Sequence, residues 1–73
     1  MDELRDAYKA GRRAFRAGLS KANAAEAGVA TVGEYPRDSP DDARRAWWSR
    51  TAEARQEAEL GWIDARAWHE SGA

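Results

Sequence analysis

No cysteine occurs in the 73 residues, which excludes a disulfide framework and thiolate chemistry. The single histidine, His69, stands near the end with Glu70 beside it, and no catalytic or metal-ligand constellation accompanies it. Neither a structural zinc site nor a histidine-based catalytic group is therefore expected. No apolar run approaches the ~18 residues that span a bilayer. The opening Met1-Asp2-Glu3 does not resemble a signal peptide, so a cytoplasmic chain with no membrane partner is expected. Branched aliphatics are scarce: six leucine, isoleucine or valine residues stand against 17 alanines. A chain this short draws only about 3–5 kcal/mol from a lone core, and here no disulfide supplements it. A single small domain is the ceiling, and a homodimer is one expected source of further burial.

Charge of one sign is also missing overall, since the net is −1, but its distribution is uneven. Residues 4–22 hold Arg5, Lys9, Arg12, Arg13, Arg16 and Lys21 against Asp6 alone, a local excess of +5. Residues 38–73 hold five arginines against eight acids. Such a chain is not a wholly basic nucleic-acid binder, yet one basic face can still dock on phosphate or on an acidic protein.

What is present reads as helix. Leu4, Tyr8, Gly11, Phe15 and Gly18/Leu19 recur at three- and four-residue spacings, which predicts a first helix over about 3–18, or extending to 27. Asp2, Glu3 and Asp6 complement its dipole, and Gly18 and Gly28 are alternative stops. Residues 28–39 lack a helical period and read as a connector in which Val29 and Val32 could face the core. Ser39-Pro40-Asp41-Asp42 predicts a helix start with Ser39 as cap. A tryptophan-rich segment then runs over 40–68, with Ala43, Trp47, Ala54, Ala58, Trp62, Ala65 and His69 on one face. Gly61 is a candidate break, costing about 1 kcal/mol against alanine. The expected fold is all-α: an antiparallel helical hairpin in which Trp47, Trp62 or Trp68 lies over Gly11 and Gly18. Four tryptophans exceed what one hairpin covers. Trp47 and Trp62 are expected in the core, Trp48 and Trp68 at an interface.

The stretch Ala7 to Lys21, AYKAGRRAFRAGLSK, resembles the N-terminal helix of the ribosome modulation factor family. That family shows the pattern A-x-x-x-G-x-x-A-x-x-A-G-x-S-K; Ala7, Gly11, Ala14, Ala17, Gly18, Ser20 and Lys21 agree with it. Gly61-Trp62-Ile63-Asp64-Ala65, with Arg55 upstream, is similar to the family's Gly-Trp-x-x-Ala element, while Arg44 and Trp47 offer an alternative register through Arg-x-x-Trp. The family's Pro-aromatic pair stands reversed here as Tyr35-Pro36, within a longer linker. The resemblance implies a small two-helix protein that binds ribosomal RNA and drives ribosomes into inactive dimers during starvation. A broader branch includes small proteins linked to fluoroquinolone resistance.

Arg5, Lys9, Arg12 and Arg16 repeat at four, three and four residues, with Arg13 beside them and Lys21 further on. They form a stripe able to meet consecutive phosphates, or one that only keeps an alanine-rich helix solvated. Trp48 and Trp68 could stack on an unpaired base or fill a partner pocket. No Gly-rich phosphate loop occurs, and Glu53, Glu57 and Asp64 have nothing beside them to raise a pKa, so neither an enzyme nor a cofactor is expected. The leading expectation is a non-enzymatic regulator that presents Arg5, Lys9, Arg12, Arg13, Arg16 and Lys21 to ribosomal RNA or a ribosomal protein. The alternative is a protein-directed inhibitor or adaptor of the mobile-element type, using exposed tryptophans and the acidic second half on a basic partner. Charge placement separates them: the first needs Arg12, Arg13 and Arg16 free, the second needs them bridged to Glu53, Glu57 or Glu59.

Overall fold

The computed structural model describes residues 3–72. Its three helices are α1 (Glu3–Arg16), α2 (Lys21–Ala30) and α3 (Asp41–Glu70), and no strand occurs among the described residues. The chain is all-α, with an extra helix where a two-helix hairpin was expected. Asp2, expected in the first turn of α1, lies outside the described residues.

The early reversal has a local cause. Gly18 takes φ 79° just past the end of α1, a left-handed conformation that a side chain resists. Its N–H donates to the Phe15 carbonyl at 3.0 Å, and the Leu19 N–H donates to the Ala14 carbonyl at 2.9 Å. This paired closure is a Schellman motif, which satisfies carbonyls the helix would leave open. Two residues on, the Ser20 hydroxyl accepts from the Asn23 N–H at 3.2 Å and starts α2. Ala17-Gly18-Leu19-Ser20 is thus a helix stop joined directly to a helix start, and the continuation of one helix to residue 27 is corrected to a break at 17–20. Gly28 does not end α2 either. It is buried inside it, and the helix closes at Thr31, whose hydroxyl donates to the Gly28 carbonyl at 2.7 Å. The connector expected over 28–39 accordingly shrinks to 31–40, with Val29 and Val32 half-buried.

α3 begins at Asp41, one residue after the cap position, which Pro40 occupies with no side-chain bond from Ser39. The Pro40 carbonyl accepts from the N–H groups of Ala43 and Arg44, while Asp41 and Asp42 complement the dipole and Asp41 pairs with Arg44. The helix continues through Gly61 without a break. At about 1.5 Å per residue its 30 residues span ~45 Å, so α3 sets the 49 Å long dimension of the molecule.

Contacts along α1 and α3 rise together: Glu3 pairs with Arg50, Gly11 meets Ala58, and Phe15 meets Trp62. The two run parallel, because α2 has already carried the chain back. α2 is antiparallel to both, with Gly28 against Ala54 and Ala58 and Gly33 beyond it beside Trp47.

The buried positions are Ala7, Ala10, Gly11 and Ala14 of α1, Ala24, Ala25 and Gly28 of α2, and Thr51, Ala54, Ala58, Gly61 and Ala65 of α3. The last set recurs at three and four residues in unbroken alternation, the helical seam that predicts a packed face. No large side chain is fully buried among the described residues. The seam instead lets backbones touch. A Cβ placed on Gly11 would stand 2.6 Å from the Ala58 carbonyl carbon, with the oxygen nearer still. One on Gly61 would stand 3.0 Å from the Tyr8 carbonyl carbon, again with the oxygen nearer, and one on Gly28 would stand 2.5 Å from the Ala58 Cβ. Dispersion between closely packed backbones thus replaces the missing aliphatic core. The expected nesting of indoles over Gly11 and Gly18 is corrected: Gly11 meets the backbone of α3, and the space where a Gly18 side chain would project is open. The apolar stripe of α1 is rotated as well, since Leu4 is exposed and Tyr8 and Phe15 are half-buried flanks.

Trp47 and Trp62 work at the ends of the seam and are half-buried. Trp62 Nε1 donates to the Leu19 carbonyl at 2.9 Å, tying α3 to the α1–α2 turn, and its ring meets Phe15 edge-on at 5.5 Å. Trp47 Nε1 donates to the Gly33 carbonyl at 3.1 Å, tying α3 to the connector, and Tyr35 packs on its ring at 5.2 Å. Each indole supplies apolar area and spends its one donor on a loop carbonyl.

Candidate functional site

At about 100° per residue, Arg5, Lys9, Arg12, Arg13 and Arg16 fan across the side of α1 opposite Ala7, Ala10, Gly11 and Ala14. The same periodicity that buries one side therefore sends the cations outward. Arg5, Lys9, Arg13 and Arg16 are exposed, and Arg12 is half-buried at the edge of the fan. Ion pairs join Arg44 to Asp41, Arg50 to Glu3 and Arg66 to Glu70. Among the described residues none engages Lys9, Arg12, Arg13 or Arg16, and Glu53, Glu57 and Glu59 form no bridge to them.

The other named residues divide. Lys21 opens α2 on a different side, where it lines a groove of about 350 Å³ with Trp62, Ile63, Arg66 and Glu70. Trp48 is 60 % exposed and belongs to an aromatic cluster at the far end of α3, 4.9 Å from Trp47 and 5.9 Å from Tyr35. Twenty helical residues, ~30 Å of rise, separate it from Trp68. Trp68 is 67 % exposed and lies beside α1. Arg12 and Trp68 line one groove of about 560 Å³ together with Tyr8, Asp64, Ala67 and Ser71. The structure thus brings Arg12 and Trp68 into one groove, sets Arg13 in another that faces α2 at Ala27 and Thr31, and leaves Lys21 and Trp48 outside the first.

Tyr8 and Asp64 join that region unannounced. The Tyr8 hydroxyl donates to Asp64 Oδ2, and this bond, with lesser help from partial burial and the carboxylate's charge, raises the phenol pKa above its ordinary 10.0. The pair was not visible in the sequence because its members stand 56 residues apart. Only the parallel pairing of α1 with α3 joins them. The Arg12 Nε is buried without a hydrogen-bond partner, so the guanidinium sits in the groove wall un-neutralised by any bond at that atom. His69 is exposed near the end of α3, its ring tilted against Phe15 at 5.8 Å.

No helix of the described residues is long and apolar enough to cross a membrane, and no group of three or more His, Cys, Asp or Glu residues among them could hold a metal ion. Comparison with protein-family models, curated proteins and solved structures finds no match.

Proposed function

We propose that this protein is a small non-enzymatic regulator of the ribosome modulation factor type. In the cytoplasm, the outer side of α1 would dock on ribosomal RNA, with a ribosomal protein as the other available surface. The observation that carries this reading is that, among the described residues, Lys9, Arg13 and Arg16 are exposed on α1 and that they and the half-buried Arg12 have no carboxylate partner. Cations held on a rigid helix, with no internal anion to displace, meet phosphate at low desolvation cost.

The two stretches that carry the family resemblance add support, because they meet in space and have one job. Ala7, Gly11 and Ala14 are buried against α3, and Ala17, Gly18 and Ser20 make the turn. Gly61 and Ala65 answer from α3, with Trp62 bonded to the turn at Leu19. Small residues at such spacings serve the scaffold, so function falls to the outward side chains.

Four phosphate contacts predict that log K falls against log salt with a slope of about −3 to −4. Sedimentation of the tagged protein with ribosomes at low and high salt tests this. Co-migration that fades as salt rises is expected, whereas absence from every ribosomal fraction at low salt rules the reading out. The alternative, a protein-directed inhibitor or adaptor, rests on the exposure of Trp48 and Trp68. It requires Arg12, Arg13 and Arg16 to be bridged to Glu53, Glu57 or Glu59, and none of those bridges occurs among the described residues.

A further inference from the structure

The groove between α1 and the end of α3 combines three chemistries within one concavity. Trp68 presents an indole that is two-thirds exposed, an expensive surface to leave to water in a chain so poor in apolar bulk. Asp64 is held by the Tyr8 hydroxyl through Oδ2, which fixes the carboxylate while its other oxygen keeps free lone pairs. Arg12 stands in the same wall with its Nε buried and unpartnered, and it is also the edge residue of the α1 basic fan. A flat aromatic face, a fixed acceptor and a cation continuous with a row of further cations match one ligand class. That class is a nucleotide whose base is unpaired.

We infer that this groove receives one unpaired nucleotide of a single-stranded RNA segment. The base stacks on Trp68 and gives an N–H to Asp64, while its phosphate lies toward Arg12 and the strand continues along the exposed Lys9 and Arg16. The inference rests on the proposed RNA docking of α1 and adds to it a preference for unpaired over duplex RNA. Its volume, about 560 Å³, lies within the range of small-molecule sites and exceeds what one base fills, leaving room for the sugar. A duplex keeps its bases stacked internally and cannot offer a face to the indole. A single strand can, and base–aromatic stacking is tolerant of sequence.

The test compares a short single-stranded RNA of mixed sequence with a hairpin duplex of equal phosphate number, using the full chain and its variants in fluorescence anisotropy at fixed low salt. Trp68→Ala is expected to weaken single-strand binding about tenfold and to leave duplex binding unchanged, the size of one lost base–aromatic stack. Trp68→Phe restores most of the affinity by retaining a ring. Trp48→Ala, at the other end of α3, changes neither. Circular dichroism on each variant separates a binding loss from unfolding, which the exposure of both rings disfavours. Equal losses on the two RNAs, or no loss on the single strand, overturn the groove assignment and leave the basic-face reading standing. If the unaltered protein binds neither RNA, the basic-face reading itself falls. Binding of AMP as tight as that of the oligomer overturns the assignment to RNA, in favour of a free mononucleotide. A Trp68→Ala variant that keeps full RNA affinity yet no longer co-sediments with ribosomes assigns the ring to a protein contact, which also overturns the proposal.

Discussion

Gly11 and Gly18 stand seven residues apart in one short segment, and the fold uses them in opposite ways. Gly11 has ordinary helical geometry and no space: the Ala58 backbone of α3 fills the volume a side chain would need. Gly18 has all the space it could use and unusual geometry, φ 79°, because it ends α1. One glycine is there for what lies outside the helix, the other for what its own backbone must do. Gly28 and Gly61 follow Gly11, so the three helices meet at points where side chains have been removed. This teaches how 73 residues with six branched aliphatics can pack: the helices approach until backbones touch, and the area lost to short side chains is offset by closeness.

The comparison can be broken most forcefully at the seam. Gly11→Ala must push α1 off α3, since the obstacle is main chain and cannot rotate away. Overpacking of this kind costs roughly 3 kcal/mol, only partly offset by a helix-propensity gain of about 1 kcal/mol. Against a total of about 3–5 kcal/mol for a lone small core, the net loss should cut the urea midpoint roughly in half. A variant as stable as the parent would mean that α1 does not sit where the seam requires.

Gly18→Ala sharpens the same contrast, with a smaller loss of about 1–2 kcal/mol from backbone strain alone. Its unfolding midpoint should fall while the near-ultraviolet spectrum of the tryptophans stays native, because nothing packs on the new methyl group. Trp62→Phe should cost about 1 kcal/mol, since the ring remains beside Phe15 but the Leu19 carbonyl loses its donor. Trp68→Phe, at an exposed ring, should be near neutral in the same denaturation series.

The smallest effect concerns pH. Tyr8 has a raised pKa in the folded chain, chiefly because its hydroxyl donates to Asp64. A raised pKa means that its contribution is fully present below the phenol's ordinary 10.0 and is lost as pH climbs beyond it. A thermal melting series across that range should therefore show a decline that Tyr8→Phe removes. An identical decline in the variant would detach the effect from this pair.

Much of the scaffold was legible along the chain. Alanine-rich periodicity marked the helices, and the cations at 5, 9, 12, 13 and 16 announced a common side of α1 because helical spacing alone puts them together. Gly18 was readable as a stop, and Asp41-Asp42 as a start. Less legible was α2, whose alanines Ala22, Ala24, Ala25 and Ala27 carry no amphipathic pattern. Gly61 read as weakness because propensity tables describe an isolated helix, whereas here the Tyr8 backbone passes over it. Of the candidate groove, Arg12 and Trp68 could be named from residue type, but not their meeting or the company of Tyr8 and Asp64.

Local chemistry, acting over four or five residues, sufficed to determine that this chain would be helical, where it could turn, and which side of α1 would bear charge. Those outcomes depend on hydrogen bonds and spacing within each helix. The direction in which α1 lies along α3, the fit of three glycines against neighbouring main chain, and the groove holding Tyr8, Arg12, Asp64 and Trp68 were decided only by tertiary structure. Each depends on two backbones meeting at a distance that no single stretch of sequence encodes, and on a seam so lacking in side-chain bulk that closeness alone sets the register.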